Sequence, residues 1–301
     1  MTRALTLVLA FLMVVLTAAV STAQDRPQIV VVNRALQDLT TRLVGDAADV
    51  IFPVPAGIDP SFWRPSIANI STVQSADLII LNGAGFASWI DRVTLPRSRL
   101  LNSSAAIRDQ FIVTESITHS HGDGGEHAHE GLASYTWLDP TLAIAQVEAI
   151  AAALVARDLA PSAEVEENRA RLIADLTALQ ATAEQALQAA QGVSLIATHP
   201  RYYYLARRFD LAITALDWDA GAVPTEDQLA DLAQRAADLD ARVLIWEAQP
   251  PDAAFVAVQA LGLTNVVFDP WASQSNGDDF LAAYAKAVSE LADAASQPGS
   301  N

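Results

Sequence analysis

The stretch Ser162-Ala-Glu-Val-Glu-Glu-Asn-Arg-Ala-Arg-Leu-Ile-Ala-Asp-Leu-Thr-Ala-Leu-Gln-Ala-Thr-Ala-Glu-Gln-Ala-Leu-Gln-Ala-Ala190 contains no Gly and no Pro. Val165, Leu172, Leu176, Leu179, Ala183 and Leu187 recur at spacings of three, four and seven, and Glu and Arg fill the other faces. That period predicts a helix with one apolar face. At about 1.5 Å per residue it is roughly 40 Å long, the width of a domain. Pro161 stops what precedes it, Ser162 offers a cap and Gly192 follows it. Its position decides the fold. Strand–helix alternation runs up to it, breaks, and restarts after it, so residues 161–191 read as one helix connecting two α/β halves.

Before the connector, Ile29–Val32, Asp49–Phe52, Asp77–Leu81 and Phe111–Val113 read as strands, with helical stretches between them. Asp139-Pro140 opens a helix, because Asp caps an N-terminus and Pro suits the first turn. After the connector, Ser194–Ala197, Leu211–Ile213, Arg242–Trp246 and Asn265–Phe268 read as strands. Thr225 to Gln228 has the form of a capping box, and a further helix is expected near Asp252–Leu261. Short β-branched runs alternating with helices point to parallel sheets. The fold class is therefore α/β: two lobes, each a parallel sheet flanked by helices, joined by a long spine helix. The N-terminal lobe spans 24–160, the C-terminal lobe 192–295, and 296–301 is a tail.

Composition narrows the function. The 301 residues are 51% hydrophobic, with 18 Lys+Arg against 35 Asp+Glu and a net charge of −17. So acidic a surface repels phosphate backbones and attracts cations, which argues against nucleic acid as a partner. There is no cysteine, which excludes disulfides, thiolate zinc sites, thiol catalysis and a lipid-anchoring cysteine. Arg3 followed by the apolar run Ala4–Val20 and then Ser21-Thr22-Ala23 reads as a signal peptide, residues 1–23, cleaved after Ala23. The expectation is an exported, periplasmic, monomeric protein.

Four of the five histidines, His119, His121, His127 and His129, fall within eleven residues of a Gly-rich loop, 118–131, beside Asp123, Glu126 and Glu130. Imidazole and carboxylate suit zinc and similar divalent ions; the alternative is a solvated loop. His199 and Asp269 each follow a predicted strand, where open α/β sheets bind ligands. Glu247 also follows a strand and reads as a cap for the helix beginning near Pro251. No nucleophile elbow, phosphate loop, dinucleotide fingerprint or zincin helix occurs, so an enzyme is not expected.

Several segments carry a resemblance in this order: Gly57-Ile-Asp-Pro-Ser-Phe-Trp-Arg-Pro-Ser66, the His-rich loop, Trp137-Leu138-Asp139-Pro140, Pro161–Leu179 with Asn168, Thr198-His199-Pro200 with Tyr203–Ala206, and Phe268-Asp269-Pro270. Together they resemble the solute-binding proteins of zinc and manganese ABC importers, the cluster A-I zinc-uptake family, over essentially the whole mature chain. The resemblance implies a metal held between the lobes by three His and one carboxylate, or two of each, and a membrane permease as partner. His199 and Asp269 keep two of those places. The first ligand position reads Ser61 and the second Tyr135. A serine hydroxyl is a poor zinc ligand, and a phenol, with a pKa near ~10, must lose its proton before it binds strongly.

Three readings follow. The first is a periplasmic binding component of an importer for Zn2+, with Mn2+ or another divalent metal as alternatives. The second is a divergent protein for another metal or a metal chelate, with Trp63, Trp137, Trp218 and Trp271 lining an aromatic cleft. The third is a metal buffer or chaperone working through the loop alone. A loop histidine is also expected to complete the cleft site: His129 lies six residues before Tyr135, a tether reaching roughly 20 Å at about 3.3 Å per residue.

Overall fold

The computed structural model describes residues 26–114, 118–119, 127–128, 131–218, 221–273 and 279–297. Two four-stranded parallel sheets form the chain's framework. The first holds β1 (Gln28–Val31), β2 (Asp49–Ile51), β3 (Leu78–Leu81) and β4 (Leu100–Asn102) in the order β2-β1-β3-β4. A short antiparallel pair, β5 (Thr118–His119) and β6 (His127–Ala128), follows it. The second sheet holds β7 (Ser194–Ala197), β8 (Ala212–Ala215), β9 (Val243–Trp246) and β10 (Thr264–Val267) in the order β10-β9-β7-β8. Ile29, Val30 and Val31, and Leu195, Ile196 and Ala197, are entirely buried, as strands covered on both faces must be.

The helices are α1 (Arg34–Val44), α2 (Ile67–Ser75), α3 (Pro140–Ala156), α4 (Ser162–Leu187), α5 (Tyr203–Phe209), α6 (Glu226–Leu239), α7 (Asp252–Ala260) and α8 (Phe280–Ser296). Their starts follow local chemistry. Asp139 accepts from the Thr141 N–H ahead of Pro140, and Thr225 with Gln228 forms a complete capping box. Two expectations are corrected. Pro161, not Ser162, is the cap residue of α4, and no side chain caps that end. The fourth strand of the first sheet is Leu100–Asn102, not Phe111–Val113. Val113 is 80% exposed and makes only a single antiparallel bridge, to Leu132. Three half-buried residues at a sheet edge are too few to reveal a period-two pattern.

The long helix is where its spacing puts it. Its buried residues are Val165, Leu172, Leu176, Leu179, Ala183 and Leu187, the same six that mark its apolar face. It packs on α3, α8 and α1, and Asn168 Nδ2 donates to the Leu43 carbonyl (3.0 Å). It is not the only link between the halves. The last helix, α8, returns to the first lobe: the Phe280 N–H donates to Asp38 Oδ2 (3.1 Å) and the Tyr284 hydroxyl to the Leu138 carbonyl (2.8 Å). One apolar core runs through both sheets, from Ile29 to Leu291. No helix among the described residues is long and apolar enough to cross a membrane; residues 1–23 lie outside them.

Candidate functional site

The second sheet delivers three side chains to the cleft by register. Ala197 pairs with Ile245, so His199 and Glu247, each two residues on, leave the sheet at the same level. Val267 pairs with Trp246, which brings Asp269 out one step beyond Glu247. Neighbouring parallel strands lie about 4.8 Å apart, so these strand ends form one wall. His199 is 4% exposed, and its Nδ1 lies 3.0 Å from the Trp218 carbonyl. A carbonyl only accepts, so Nδ1 carries the proton and Nε2 the lone pair, the tautomer that ligates metals. Burial first, and then the positive charge of Arg201, lower its pKa, so the ring is neutral.

Asp269 Oδ1 accepts from the Trp271 N–H (2.7 Å), and that turn holds Trp271 at φ 55, a conformation L-residues seldom adopt. Burial pushes the Asp269 carboxyl up to about 6; the Trp271 N–H pulls the other way, and the Glu247 charge adds to the rise.

The facing wall comes from loops of the first lobe. Tyr135 is buried, edge-on to Phe86 (5.6 Å between centroids) and tilted on Trp137 (4.9 Å). Beneath it lies a polar knot. Asn82, at the end of β3, donates to the Ser134 carbonyl (2.8 Å) and accepts from Gln146 (3.0 Å) and Thr136 (3.2 Å). Gly83, at φ 83, follows; a Cβ there would stand 2.4 Å from Asn102 Oδ1. Ser61 is held by its backbone: its N–H donates to Asp59 Oδ1 (2.8 Å), and its carbonyl accepts from the Ser88 hydroxyl (3.1 Å). Its own hydroxyl lies near enough to Tyr135 and Asp59 to lower both their pKa values, yet is buried without a hydrogen bond of normal geometry.

Between the walls stands Arg201. Its Nη2 donates to Asp59 Oδ2 (2.5 Å), its Nε donates to Glu247 Oε2 (3.0 Å), and its guanidinium lies 4.9 Å over the Tyr135 ring. Its side chain is 11% exposed and that of Glu247 is 9%. Burial alone would raise the Asp59 pKa, but the Arg201 charge and the Ser61 N–H hold it below the usual carboxylate range. Burial raises the Tyr135 phenol well above its ordinary value, more than Arg201 lowers it, so it stays protonated. Among the described residues no three His, Asp or Glu side chains form a metal-binding group. An arginine stands among the acceptors instead.

The structure thus brings Ser61 and Tyr135 together around Arg201, and ties His199 and Asp269 to the same cluster through Glu247. Glu247 is an ion-pair partner, not a cap; Pro251 precedes the first residue of α7, and no side chain caps that end. Trp63, Trp137, Trp218 and Trp271 are all buried, and they do not line one common cavity: Trp63 lies beside Trp89, Trp218 beside Trp246 and Trp271 beside Phe280. Trp137 Nε1 donates to the Pro270 carbonyl (2.7 Å), joining the two walls. His119 and His127 sit opposite each other across the β5–β6 pair; His121 and His129 lie outside the described residues. Sequence reasoning missed Arg201 and Asp59. The available signals were an Arg two residues after His199 and an Asp two residues before Ser61, far apart in sequence.

The sequence matches the family described as zinc-uptake complex component A, periplasmic, over residues 29–294. The zinc-binding lipoprotein AdcA of Streptococcus pneumoniae serotype 4 is 28% identical over 221 residues, 70% of this chain and 43% of that protein. The chain therefore spans less than half the length of that relative. The high-affinity zinc uptake system protein ZnuA of Bacillus subtilis is 25% identical over 231 residues, 74% of this chain and 71% of its own length. The crystal structure of the Zn(II)-bound ZnuA-like domain of S. pneumoniae AdcA superposes with a TM-score of 0.75 at 21% identity, covering 90% of this chain and 100% of that one. Pseudomonas aeruginosa FpvC in complex with Mn2+ gives 0.67 at 22% identity, covering 90% and 96%. At such identities the structures establish the fold.

Proposed function

The chain belongs to the periplasmic zinc-uptake complex component A family, and from that premise we propose that it is the metal-capturing component of an ABC importer, exported to the periplasm and serving a membrane permease. Zinc is the first cargo; Mn2+ and other divalent ions follow. The protein acts by binding, not by catalysis. The observation that carries this reading is His199. It is buried and neutral, and the Trp218 carbonyl accepts from Nδ1 and so puts the ring's lone pair on Nε2; a backbone carbonyl commonly orients a metal-binding imidazole in this way. Asp269 adds a carboxylate that ionises above about 6. The loop histidines His119, His121, His127 and His129 supply the remaining nitrogen. Ser61 and the protonated Tyr135 contribute shape and little donor strength.

Calorimetric titration of the protein lacking residues 1–23 with zinc tests this. Replacing His199→Ala should weaken the tight event by roughly tenfold or more. Unchanged affinity and stoichiometry would remove the cleft from the function. Deleting residues 119–130 should weaken capture while leaving a cleft event that still depends on His199.

A further inference from the structure

We propose that Arg201 is the cleft's resident cation: its guanidinium, gripped by Asp59 from one lobe and Glu247 from the other, occupies the ground a divalent cargo must take, so that cargo and arginine compete for the same carboxylates. This deepens the metal-capture reading and rests on it only for the identity of the competitor.

The geometry shows what the guanidinium replaces. Arg201 follows His199 by two residues, so its side chain starts on the strand-end wall. It crosses to Asp59 on the loop wall and lies over the face of Tyr135. Its planar fork serves two carboxylates in different directions, as a guanidinium does and an ammonium does not. The face of a buried phenol is also a good surface for a cation. Ser61 is the other half of the exchange. Its hydroxyl lies beside Tyr135 and Asp59, the two groups that flank the guanidinium, yet is buried without a hydrogen bond of normal geometry.

Asp59, Glu247, His199 and Asp269 are all acceptors, and a divalent ion takes about four of them. Arginine does not deprotonate in a protein, so it cannot yield by losing its charge. It must move aside, or the ion must bind without Asp59 and Glu247. Two consequences follow. Cleft affinity is lower than the acceptors alone would give. Arg201 also bridges the lobes without cargo, so part of the work of holding them together is already done before metal arrives.

The experiment compares zinc titrations of the whole protein with those of Arg201→Gln and Arg201→Lys. Glutamine keeps a hydrogen-bond donor and removes the charge; lysine keeps the charge. Arg201→Gln should bind zinc roughly tenfold or more tighter, Arg201→Lys should stay within about threefold of the parent, and adding Glu247→Gln to Arg201→Gln should erase the gain. An Arg201→Gln protein that binds no tighter than the parent overturns the inference, and the metal-capture reading survives if the parent still binds through His199. A gain in Arg201→Gln alongside a parent whose binding ignores His199→Ala does the reverse. The parent protein supplies a second readout that needs no variant to fold. Saturating zinc should shift or broaden the Arg201 Nε–H resonance, and a signal unmoved through saturation overturns the inference.

Discussion

The two walls of the cleft are built differently, and they carry different chemistry. On one wall His199, Glu247 and Asp269 leave the ends of β7, β9 and β10, and the ladder registers Ala197↔Ile245 and Val267↔Trp246 set their heights. On the other, Asp59, Ser61 and Tyr135 come from loops. The strand-end wall carries an imidazole and carboxylates; the loop wall carries a carboxylate, a hydroxyl and a phenol. A residue indexed to a sheet cannot slip without turning its neighbours to the wrong face. A loop residue can be exchanged provided the packing beneath it holds. The imidazole and the raised carboxyl of this cleft thus sit where the backbone constrains them most, and Arg201 reaches across from that wall to the loops.

That contrast depends on the loop wall having its own anchor, and Trp137 is the anchor. It is fully buried, packs against Tyr135 and Phe86, and donates to the Pro270 carbonyl next to Asp269. Trp137→Ala should cost about 3–5 kcal/mol, the range for large aromatic truncations, since a cavity opens and a buried carbonyl loses its donor. Urea unfolding measures it. A loss below about 1 kcal/mol would mean that packing does not hold the loop wall, and the contrast would lose its mechanism.

The strand-end wall makes a smaller, pH-dependent prediction. Burial raises the Asp269 carboxyl in the folded state to about 6, above the ordinary aspartate value of ~3.9. A carboxyl raised in the folded state binds its proton more tightly there than in the unfolded chain. Its contribution therefore makes stability fall as pH rises from about 4 through about 6 and leaves a constant deficit above that. Asp269→Asn, which can still accept from the Trp271 N–H, should remove that fall and stabilise the protein at pH 7 by on the order of 1–2 kcal/mol. Thermal unfolding across pH 4–8 checks it; parallel curves for parent and variant would mean that the wall does not strain its carboxylate. Zinc capture should weaken as pH falls through about 6, because the proton and the ion take the same oxygen.

How much of this was legible in sequence follows the same division. Strand ends were readable: Ser194–Ala197 is the observed β7, and His199 and Asp269 follow from runs whose β-branched composition marks buried strands. The long helix was readable because its six apolar positions, Val165 to Leu187, keep one face over about six turns. Leu100–Asn102 was not, since three residues hold no period. Arg201 was not, because its role depends on Asp59, 142 residues away, and Glu247, 46 residues away. No local pattern encodes such a partnership; the nearer reading of Glu247 as a helix cap was the wrong local solution.

The smallest expected effect is the sharpest test of the loop wall. Ser61 stands where the family resemblance implies a first ligand. If the wall has given up coordination, its hydroxyl should do little for binding and slightly harm stability. The hydroxyl is buried without a normal hydrogen bond, and removing an unsatisfied buried group whose partners are unaffected is neutral or stabilising. Its backbone contacts survive truncation, because Asp59 accepts from the Ser61 N–H and Ser88 donates to the Ser61 carbonyl. Ser61→Ala should therefore change stability by no more than about 1 kcal/mol, toward greater stability, and leave zinc affinity within about twofold of the parent, a difference of about 0.4 kcal/mol. Unfolding and calorimetry on the same preparation give both numbers. A tenfold loss of zinc affinity would make Ser61 a ligand after all. The loop wall would then be a working donor surface, and Arg201 would have to be placed beside the metal rather than in its stead.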